Sequence, residues 1–393
     1  MRRSLSLRIG RNGRHHPPGR SLGIAWVCVL GASLLICLFV GNASAQEPNP
    51  YSPQYEHPYR YGALPTKDAL ARMRAWRALH PAIATGPSTI SYQGGYPDPN
   101  TSASTGIGVV SGVPQVYLVV WGTQWGTAST DGNGNMTLSN DPDGEVPFLQ
   151  QMFKGIGTNG ELWSGVATQY CDGLSPLVAT GATSCPAGAA HIGYPTGGAF
   201  AGIWYDDSVP EPDPATQAQL AQEAVAAAAH FGTTSNRLAQ YVILSATGTH
   251  PDGFNTVNGD FCGWHSSTFD ATSSYVIAFS NEPYVPDLPA PGCNEDITGN
   301  PILDGISITA SHEYAEVLTD FYPSYGWNNP ADASTTGGES ADQCQAATPN
   351  DALPVTTATG TFAMQLIWSN DTNQCEILHP VITGDTIFAS SLE

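Results

Sequence analysis

The sequence predicts a disulfide-bonded α+β domain built on a mixed sheet, with one helix that carries metal-ligand residue types. Apolar runs rich in β-branched residues predict strands, and helical stretches are interspersed among them without strict strand–helix alternation. Six cysteines lie in the same part of the chain. The domain is predicted to span residues 90–393, a length of about 300 residues that one elaborated core can accommodate.

Residues 1–45 have the pattern of a secretory signal peptide. A region with six arginines and no acidic residue precedes an apolar run over 22–40, and Ala43-Ser44-Ala45 follows as a small-residue cleavage site. The apolar run approaches the length that spans a bilayer, so an uncleaved N-terminal anchor is the alternative. No later segment is long and apolar enough to cross a membrane. The sequence therefore predicts a secreted, extracellular protein.

Residues 46–89 are predicted to be a linker or a pro-segment. The part up to residue 65 is rich in Pro and Tyr, which is typical of an extended chain. Thr66 to His80 then places apolar residues at helical spacing and predicts a short amphipathic helix.

Beyond residue 90 the strands and helices follow from apolar runs and cap signals. The predicted strands are 116–121, 240–244, 275–279 and 362–368. The predicted helices are 146–153, 214–230 (with Asp213 as N-cap) and 305–318. Between them, Asp131–Asn135 has oxygen ligands suited to Ca²⁺, although its Gly and Asn content favours a solvated hairpin turn.

The cysteines beyond the signal peptide form an even set, as expected of disulfides in an exported chain. They are Cys171, Cys185, Cys262, Cys293, Cys344 and Cys375. The sequence leaves their connectivity open, and we expect nearest neighbours to pair because short loops close at the lowest entropic cost. No C-x-x-C spacing supports the alternative of a zinc finger.

The charge balance excludes two classes of partner. Only seven Lys and Arg residues follow residue 45, against 34 Asp and Glu residues. Nucleic acids and anionic membranes are bound through clustered Lys and Arg, which this composition lacks. We therefore expect neither as a partner, and the sequence leaves the oligomeric state open.

The chemistry is predicted to centre on a helix that contains His312, Glu313 and Glu316. Residues four apart lie on one helix face, so His312 and Glu316 point the same way, with Asp320 a further turn along. In an H-E-x-x-H zinc hydrolase these positions hold two ligands, and the Glu between them is the general base. Here the second ligand is a carboxylate, which makes Mn²⁺, Fe²⁺ or Ca²⁺ alternatives to Zn²⁺. An ordinary solvated helix can carry the same residues.

A second acidic element follows this helix. Glu339 lies 23 residues beyond Glu316, at the spacing of a third ligand supplied by a later element. Asp342 comes three residues later and, like Asp320, is predicted to support the ligands by hydrogen bonding. The alternative is that Glu339 is an exposed loop carboxylate.

These motifs resemble the EXORDIUM / phosphate-induced protein family and its bacterial secreted relatives. The resemblance rests on His312 to Asp320, on Trp327, on the Glu339 to Cys344 element, and on a C-x-x-H motif at Cys262 to His265. It implies an extracellular protein with a zincin-like domain, although the plant members are linked to growth responses without clear enzymology. Phe321 departs from the pattern, since relatives tend to have Pro there, and this alters the helix exit.

The resemblance also makes His265 a candidate. It implies a role as a fourth metal ligand or as a donor to the oxyanion of a tetrahedral intermediate. A hydrogen-bonded core histidine beside a disulfide is the alternative.

The sequence thus predicts a secreted zinc metallopeptidase that acts on a peptide or protein. Glu313 and His265 are its predicted catalytic residues. The predicted metal ligands are His312, Glu316, Glu339 and His265. A non-catalytic extracellular binding or signalling protein with a closed structural metal site is the principal alternative. A glycan-binding or glycan-cleaving protein that uses Trp121, Trp125 and Trp204 for stacking is a third.

Overall fold

A six-stranded mixed sheet forms the centre of the fold in the computed structural model, which describes residues 48–80, 89–97, 105–173, 178–234, 236–257, 259–269, 276–330, 338–345 and 351–383. Its strands lie in the spatial order β1 (Tyr61–Pro65), β8 (Phe261–Thr268), β9 (Ile277–Glu282), β7 (Ala239–Ser245), β3 (Gln115–Trp121) and β6 (Phe200–Asp206). The last four strands are parallel to one another. Strand β8 runs antiparallel to β9, and β1 runs antiparallel to β8. The predicted mixed sheet is confirmed.

Five helices and four small two-stranded sheets complete the described part of the chain. The helices are α1 (Lys67–Leu79), α2 (Glu145–Gly155), α3 (Trp163–Ala167), α4 (Gln217–His230) and α5 (Pro301–Thr319). The paired strands are β2 (Ser91–Tyr92) with β10 (Trp327–Asn328), β4 (Ala128–Thr130) with β5 (Met136–Leu138), β11 (Ala352–Thr356) with β12 (Thr361–Gln365), and β13 (Ile367–Ser369) with β14 (Gln374–Glu376).

Helices cover both faces of the main sheet. Successive side chains of a strand point to opposite faces. On β8, Gly263 faces α5, so Trp264 faces the other side, where it packs against Phe279. Tyr241, the register partner of Phe279, lies on that same side beside Tyr117, which packs on Phe231 at the end of α4. Helix α5 therefore covers one face of the sheet and α4 covers the other.

The helix starts differ from the predictions for local reasons. Helix α4 begins at Gln217, because Thr216 and Gln219 form a capping box. The prediction of Asp213 as its N-cap is therefore wrong, and Asp213 instead accepts hydrogen bonds from the backbone and side chain of His250. Helix α5 begins earlier than predicted, because Asn300 caps it and Pro301 occupies its first position.

The segment predicted as a linker or pro-segment supplies the edge strand β1 and helix α1. Thr66 caps α1 by accepting from the backbone N–H of Ala69, and it donates its own N–H to the carbonyl of Asp260. Residues 46–393 form one compact unit. The predicted signal peptide lies outside the described residues, and within them no helix has the length and apolarity to cross a membrane.

The disulfide pairing confirms the expectation of nearest neighbours. Cys171 bonds to Cys185, Cys262 to Cys293, and Cys344 to Cys375. The second bond ties β8 to the approach of α5, and the third ties the Glu339 element to β14. Two disulfides therefore hold segments that carry predicted site residues.

Two other sequence features have structural roles. Asp131 closes the β4–β5 turn, where its carboxylate accepts from the backbone N–H groups of Asn133 and Asn135 at 2.8 Å each. Trp121 and Trp125 are buried in the core, so neither offers a ring face to a sugar. Trp204 is half-buried and stacks on His230.

Candidate metal centre

Helix α5 is buried along most of its length, which is unusual for a helix with so many polar residues. Its hydroxyl groups are accommodated because they bond back to the helix: Thr309 Oγ1 donates to the carbonyl of Gly305, and Ser311 Oγ donates to the carbonyl of Ile308. The ionisable residues of α5 therefore lie in the interior, away from bulk water.

A glycine in β8 allows α5 to approach the sheet closely. A Cβ atom at Gly263 would lie 2.7 Å from Thr309 Cγ2 and 3.2 Å from Glu313 Oε1, which no larger residue tolerates without a shift. Two residues along the strand, on the same face, His265 enters the space between β8 and α5. Two residues of the C-x-x-H motif thus shape the site: Gly263 allows α5 to approach closely, and His265 enters the space between β8 and α5.

His312 and His265 face the same group of carboxylates. His312 Nε2 lies 2.8 Å from the carbonyl oxygen of Gly62 and 3.2 Å from Glu316 Oε2. His265 Nε2 lies 2.8 Å from Glu339 Oε2. All four side chains are at least 94% buried. The structure thus brings together the four residues predicted as metal ligands.

Asp342 lies closer to the centre than a purely supporting role requires. Its Oδ1 is 3.8 Å from His312 Nε2, and its backbone N–H donates to Glu316 Oε1 at 2.8 Å. Its Oδ1 also accepts from the side chain of Gln345 at 2.9 Å. Asp320 lies farther along, at the end of α5, where its Oδ2 accepts from the backbone N–H of Ser324. Asp342 both orients Glu316 and is itself within reach of a bound ion.

Burial and mutual repulsion set the electrostatics of this centre. Burial, and then the neighbouring Glu316 and Glu282, holds the pKa of Glu313 well above its usual range. Burial raises the pKa of Glu316 and Glu339 in the same way. Burial and then the charge of His312 lower the pKa of His265 to about 3. No Lys or Arg of the described segments forms an ion pair with these carboxylates.

Several buried atoms of the centre make no hydrogen bond. They are both ring nitrogens of His265, both oxygens of Glu313, and Oε2 of Glu316 and of Glu339. His265 Nε2 and Glu339 Oε2 are close together but not aligned as donor and acceptor. Such orphaned buried groups are costly unless another partner satisfies them. A divalent cation would satisfy one ring nitrogen of His265 and carboxylate oxygens of Glu313 and Glu316, because neutral imidazole and carboxylate are its ordinary ligands.

Two sets of three ligand atoms meet the geometric requirement for one ion. One set is His265, Glu313 and Glu316, and the other is His312, Glu316 and Asp342, with all atoms of a set within 4.8 Å of one another. Glu316 belongs to both sets. Glu339 belongs to neither, although it contacts His265. The donor set therefore fits a metal ion, and Glu316 is the common ligand.

Sequence reasoning missed four residues of this centre. Gly62 and Gly263 permit close approach of the backbone, and Gln345 donates to Asp342. Glu282, at the end of β9, acts on Glu313 through its charge. A glycine inside a strand pattern is a signal for close packing, so Gly263 could have been identified. Gly62 and Glu282 depend on contacts between segments distant in sequence, and the bond from Gln345 to Asp342 depends on the local turn that follows Glu339.

Comparison of the chain with protein-family models, with curated protein sequences and with solved structures gives no match in any of the three.

Proposed function

We propose that the protein is a secreted metal-dependent hydrolase with a zincin-like domain, and that its reaction is peptide hydrolysis by a zinc centre. The observation that carries the proposal is the group of buried, unpaired His and Glu atoms around Glu316. An export-type leader and three disulfides agree with an extracellular location. The motif resemblance to the EXORDIUM family supports the secreted, zincin-like domain and leaves catalysis open.

In this proposal Glu316 and His312 hold the metal, with His265, Glu339 and Asp342 as the further candidate ligands. The ion would supply a Lewis acid for the scissile carbonyl and would acidify a water molecule. Glu313 lies on α5 beside the ligands, and both of its oxygens are without hydrogen-bond partners. It is therefore placed to take the proton of the attacking water and to deliver it to the leaving amine.

The alternative function is extracellular binding or signalling with a structural metal site. The observation in its favour is burial, because His265, His312, Glu313 and Glu316 have no exposed surface. A structural site has four protein ligands, whereas a catalytic site keeps one position open for substrate.

Metal content of the purified exported protein tests the proposal. We expect about one equivalent of zinc in the wild-type protein, and its loss in His312→Ala, because each zinc site needs three or four protein ligands. Glu313→Gln should retain the metal, because the set formed by His312, Glu316 and Asp342 stays intact, and it should lose peptide hydrolysis by about 10²–10⁴-fold relative to wild type treated identically, because the base is removed. Elemental analysis and cleavage of a peptide library provide the two readouts.

Glu223→Gln is the matched control, since Glu223 is also a buried helical glutamate but lies on α4. It should change neither readout. A wild-type protein that holds no transition metal after reconstitution contradicts the proposal. If the Glu313→Gln variant retains the metal and hydrolyses peptides at an unchanged rate, Glu313 is not the base of the reaction.

A further inference from the structure

Strand β1 covers the edge of the sheet beside the metal centre. It runs antiparallel to β8, with Tyr61 opposite His265 and Leu64 opposite Gly263, and its register is irregular between these pairs. Without β1, the antiparallel strand β8 would be the edge of the sheet. A free sheet edge binds extended peptides through main-chain hydrogen bonds. The chain's own N-terminal segment, residues 48–80, therefore occupies a place in which an extended peptide could lie.

Gly62 brings the backbone of this segment against the candidate ligands. Its carbonyl oxygen lies 2.8 Å from His312 Nε2. A Cβ atom on Gly62 would lie 1.6 Å from Glu316 Oε2, with Glu339 Oε2 3.1 Å away, and Gly62 has a φ of +51°. Both the space and the backbone conformation thus require glycine. The peptide unit at Gly62 thus lies directly against His312 and Glu316, two of the candidate ligands, as a bound substrate peptide would.

The charge of the N-terminal segment is opposite to that of the remaining chain. Five of the seven Lys and Arg residues beyond residue 45 lie between residues 60 and 77. Arg60 pairs with Asp252 at 2.7 Å, Lys67 with Glu295 at 2.9 Å, and Arg72 with Asp260 at 2.6 Å. Arg74 donates to the carbonyl of Gln345, a residue of the metal centre.

Apolar burial also contributes to this attachment. Within the N-terminal segment, the buried apolar side chains are Pro53, Ala63, Leu64, Pro65, Ala69 and Met73. Leu79 is 79% exposed, and Tyr51 and Tyr55 are also exposed. The Lys67–Glu295 and Arg72–Asp260 pairs of α1 are at least partly exposed and weaken with salt, whereas the Arg60–Asp252 pair is buried. Salt therefore weakens the contacts of α1, while Arg60 and β1 hold the segment in the interior.

We propose that the edge of β8 is the peptide-binding edge of the metal centre and that the N-terminal segment is an internal inhibitor bound there as a substrate strand would be. This inference rests on the proposed hydrolase function. It assigns the substrate class as an extended polypeptide with glycine at the position next to His312 and Glu316. It also assigns the regulation: the site becomes accessible when the N-terminal segment leaves.

The test uses the full-length protein with a site-specific protease sequence inserted after His80, where α1 ends. After cleavage, the nicked protein is incubated with an excess of fluorescent peptide 48–80, and exchange is followed by anisotropy. We expect the peptide to exchange, faster at high salt because the ion pairs are screened. A Gly62→Ala peptide should bind at least about tenfold more weakly, because its Cβ overlaps Glu316. An Ala71→Ser peptide, changed on the exposed face of α1, should bind as wild type.

Hydrolysis is measured on the same samples. The inference predicts that nicking followed by dilution raises the rate at least about tenfold and that excess wild-type peptide suppresses it again. Three outcomes would make the segment an integral part of the fold and overturn the inference. They are absence of exchange, unfolding when the N-terminal segment leaves, and equal binding of the Gly62→Ala and wild-type peptides. Equal hydrolysis before and after nicking overturns it too, and leaves the hydrolase function standing. Peptide exchange without metal or hydrolysis in either form contradicts the hydrolase function itself, and the inhibitor role with it.

Discussion

The candidate metal centre and the carboxyl ends of β6 and β7 both bury glutamates, but only the candidate metal centre has histidines among them. In the second region, Ser245 Oγ donates to Glu211 Oε1 at 2.7 Å, and Glu223 shares a hydrogen bond with Asp206. No histidine belongs to either of these contacts. Burial raises the pKa of Glu211 and of Glu223 to about 8 each, so a proton suffices to neutralise them.

At the candidate metal centre, two histidines join the carboxylates, whereas buried carboxylate oxygens without a donor occur in both regions. A single proton cannot satisfy His265, Glu313 and Glu316 together, whereas a cation among them can. The comparison shows that a buried glutamate with a raised pKa is not in itself a sign of function. The distinguishing feature is a set of unpaired acceptors that includes imidazole.

The largest expected difference between the two regions is the response to metal. With Zn²⁺ at about 100 times its dissociation constant, the wild-type protein should gain about 3 kcal/mol in the free energy of unfolding. His312→Ala should lose this gain, and Glu211→Gln should keep it, because only His312 offers a ligand. Thermal unfolding with Zn²⁺ and with a chelator measures the difference. An equal gain in both variants would place the metal elsewhere.

A smaller difference concerns the pH dependence of stability. Burial, and then the neighbouring Asp206, raises the pKa of Glu223 to about 8 from 4.5. The folded state thus holds the proton more tightly than the unfolded state does. The protonated Glu223 therefore adds to the free energy of unfolding. This stabilising contribution is fully present below pH 4.5 and is lost as the pH rises through about 8.

The Glu223→Gln variant has no ionisable group at this position, so it should not lose stability from this source as the pH rises. At pH 8 to 9 we expect the variant to be more stable than wild type by about 2 kcal/mol, and near pH 4 the two should be equal. Urea unfolding across this pH range provides the measurement. Parallel stability curves would show that Glu223 does not titrate with folding.

The smallest expected effect is the change in stability that follows from removing one hydroxyl group. Ser245→Ala removes the donor to Glu211 Oε1 and should destabilise the protein by about 1 kcal/mol at pH 5, without changing its metal content. Urea unfolding together with elemental analysis separates the two effects. A loss of metal in Ser245→Ala would mean that the two regions are coupled.

Local features of the sequence predicted much of this arrangement. The one-turn spacing of His312 and Glu316 was sufficient to place both on one face of a buried helix, and short loops between cysteines were sufficient for the disulfide pairing. The position of β1 could not be predicted in this way. Its contacts with β8 join residues about 200 positions apart, and nothing local in a Pro- and Tyr-rich stretch specifies such a partner.

Two smaller differences have separate causes. Asp213 has the residue type of an N-cap, but Thr216 with Gln219 offers two hydrogen bonds, and this stronger cap defines the start of α4. The sequence predicted that Asp342 only supports the ligands by hydrogen bonding. The turn that follows Glu339 brings it back to Glu316, a contact across 26 residues.

The uneven distribution of Lys and Arg has a consequence for the life of the protein outside the cell. Proteases that cut after basic residues find five target bonds within residues 60–77 and two in all the rest of the chain beyond residue 45. Of those two residues, Lys154 donates to the side chain of Asn135, and Arg237 pairs with the buried Asp172. Trypsin-like digestion would thus be directed at the segment that covers the metal centre and would largely spare the domain beneath it.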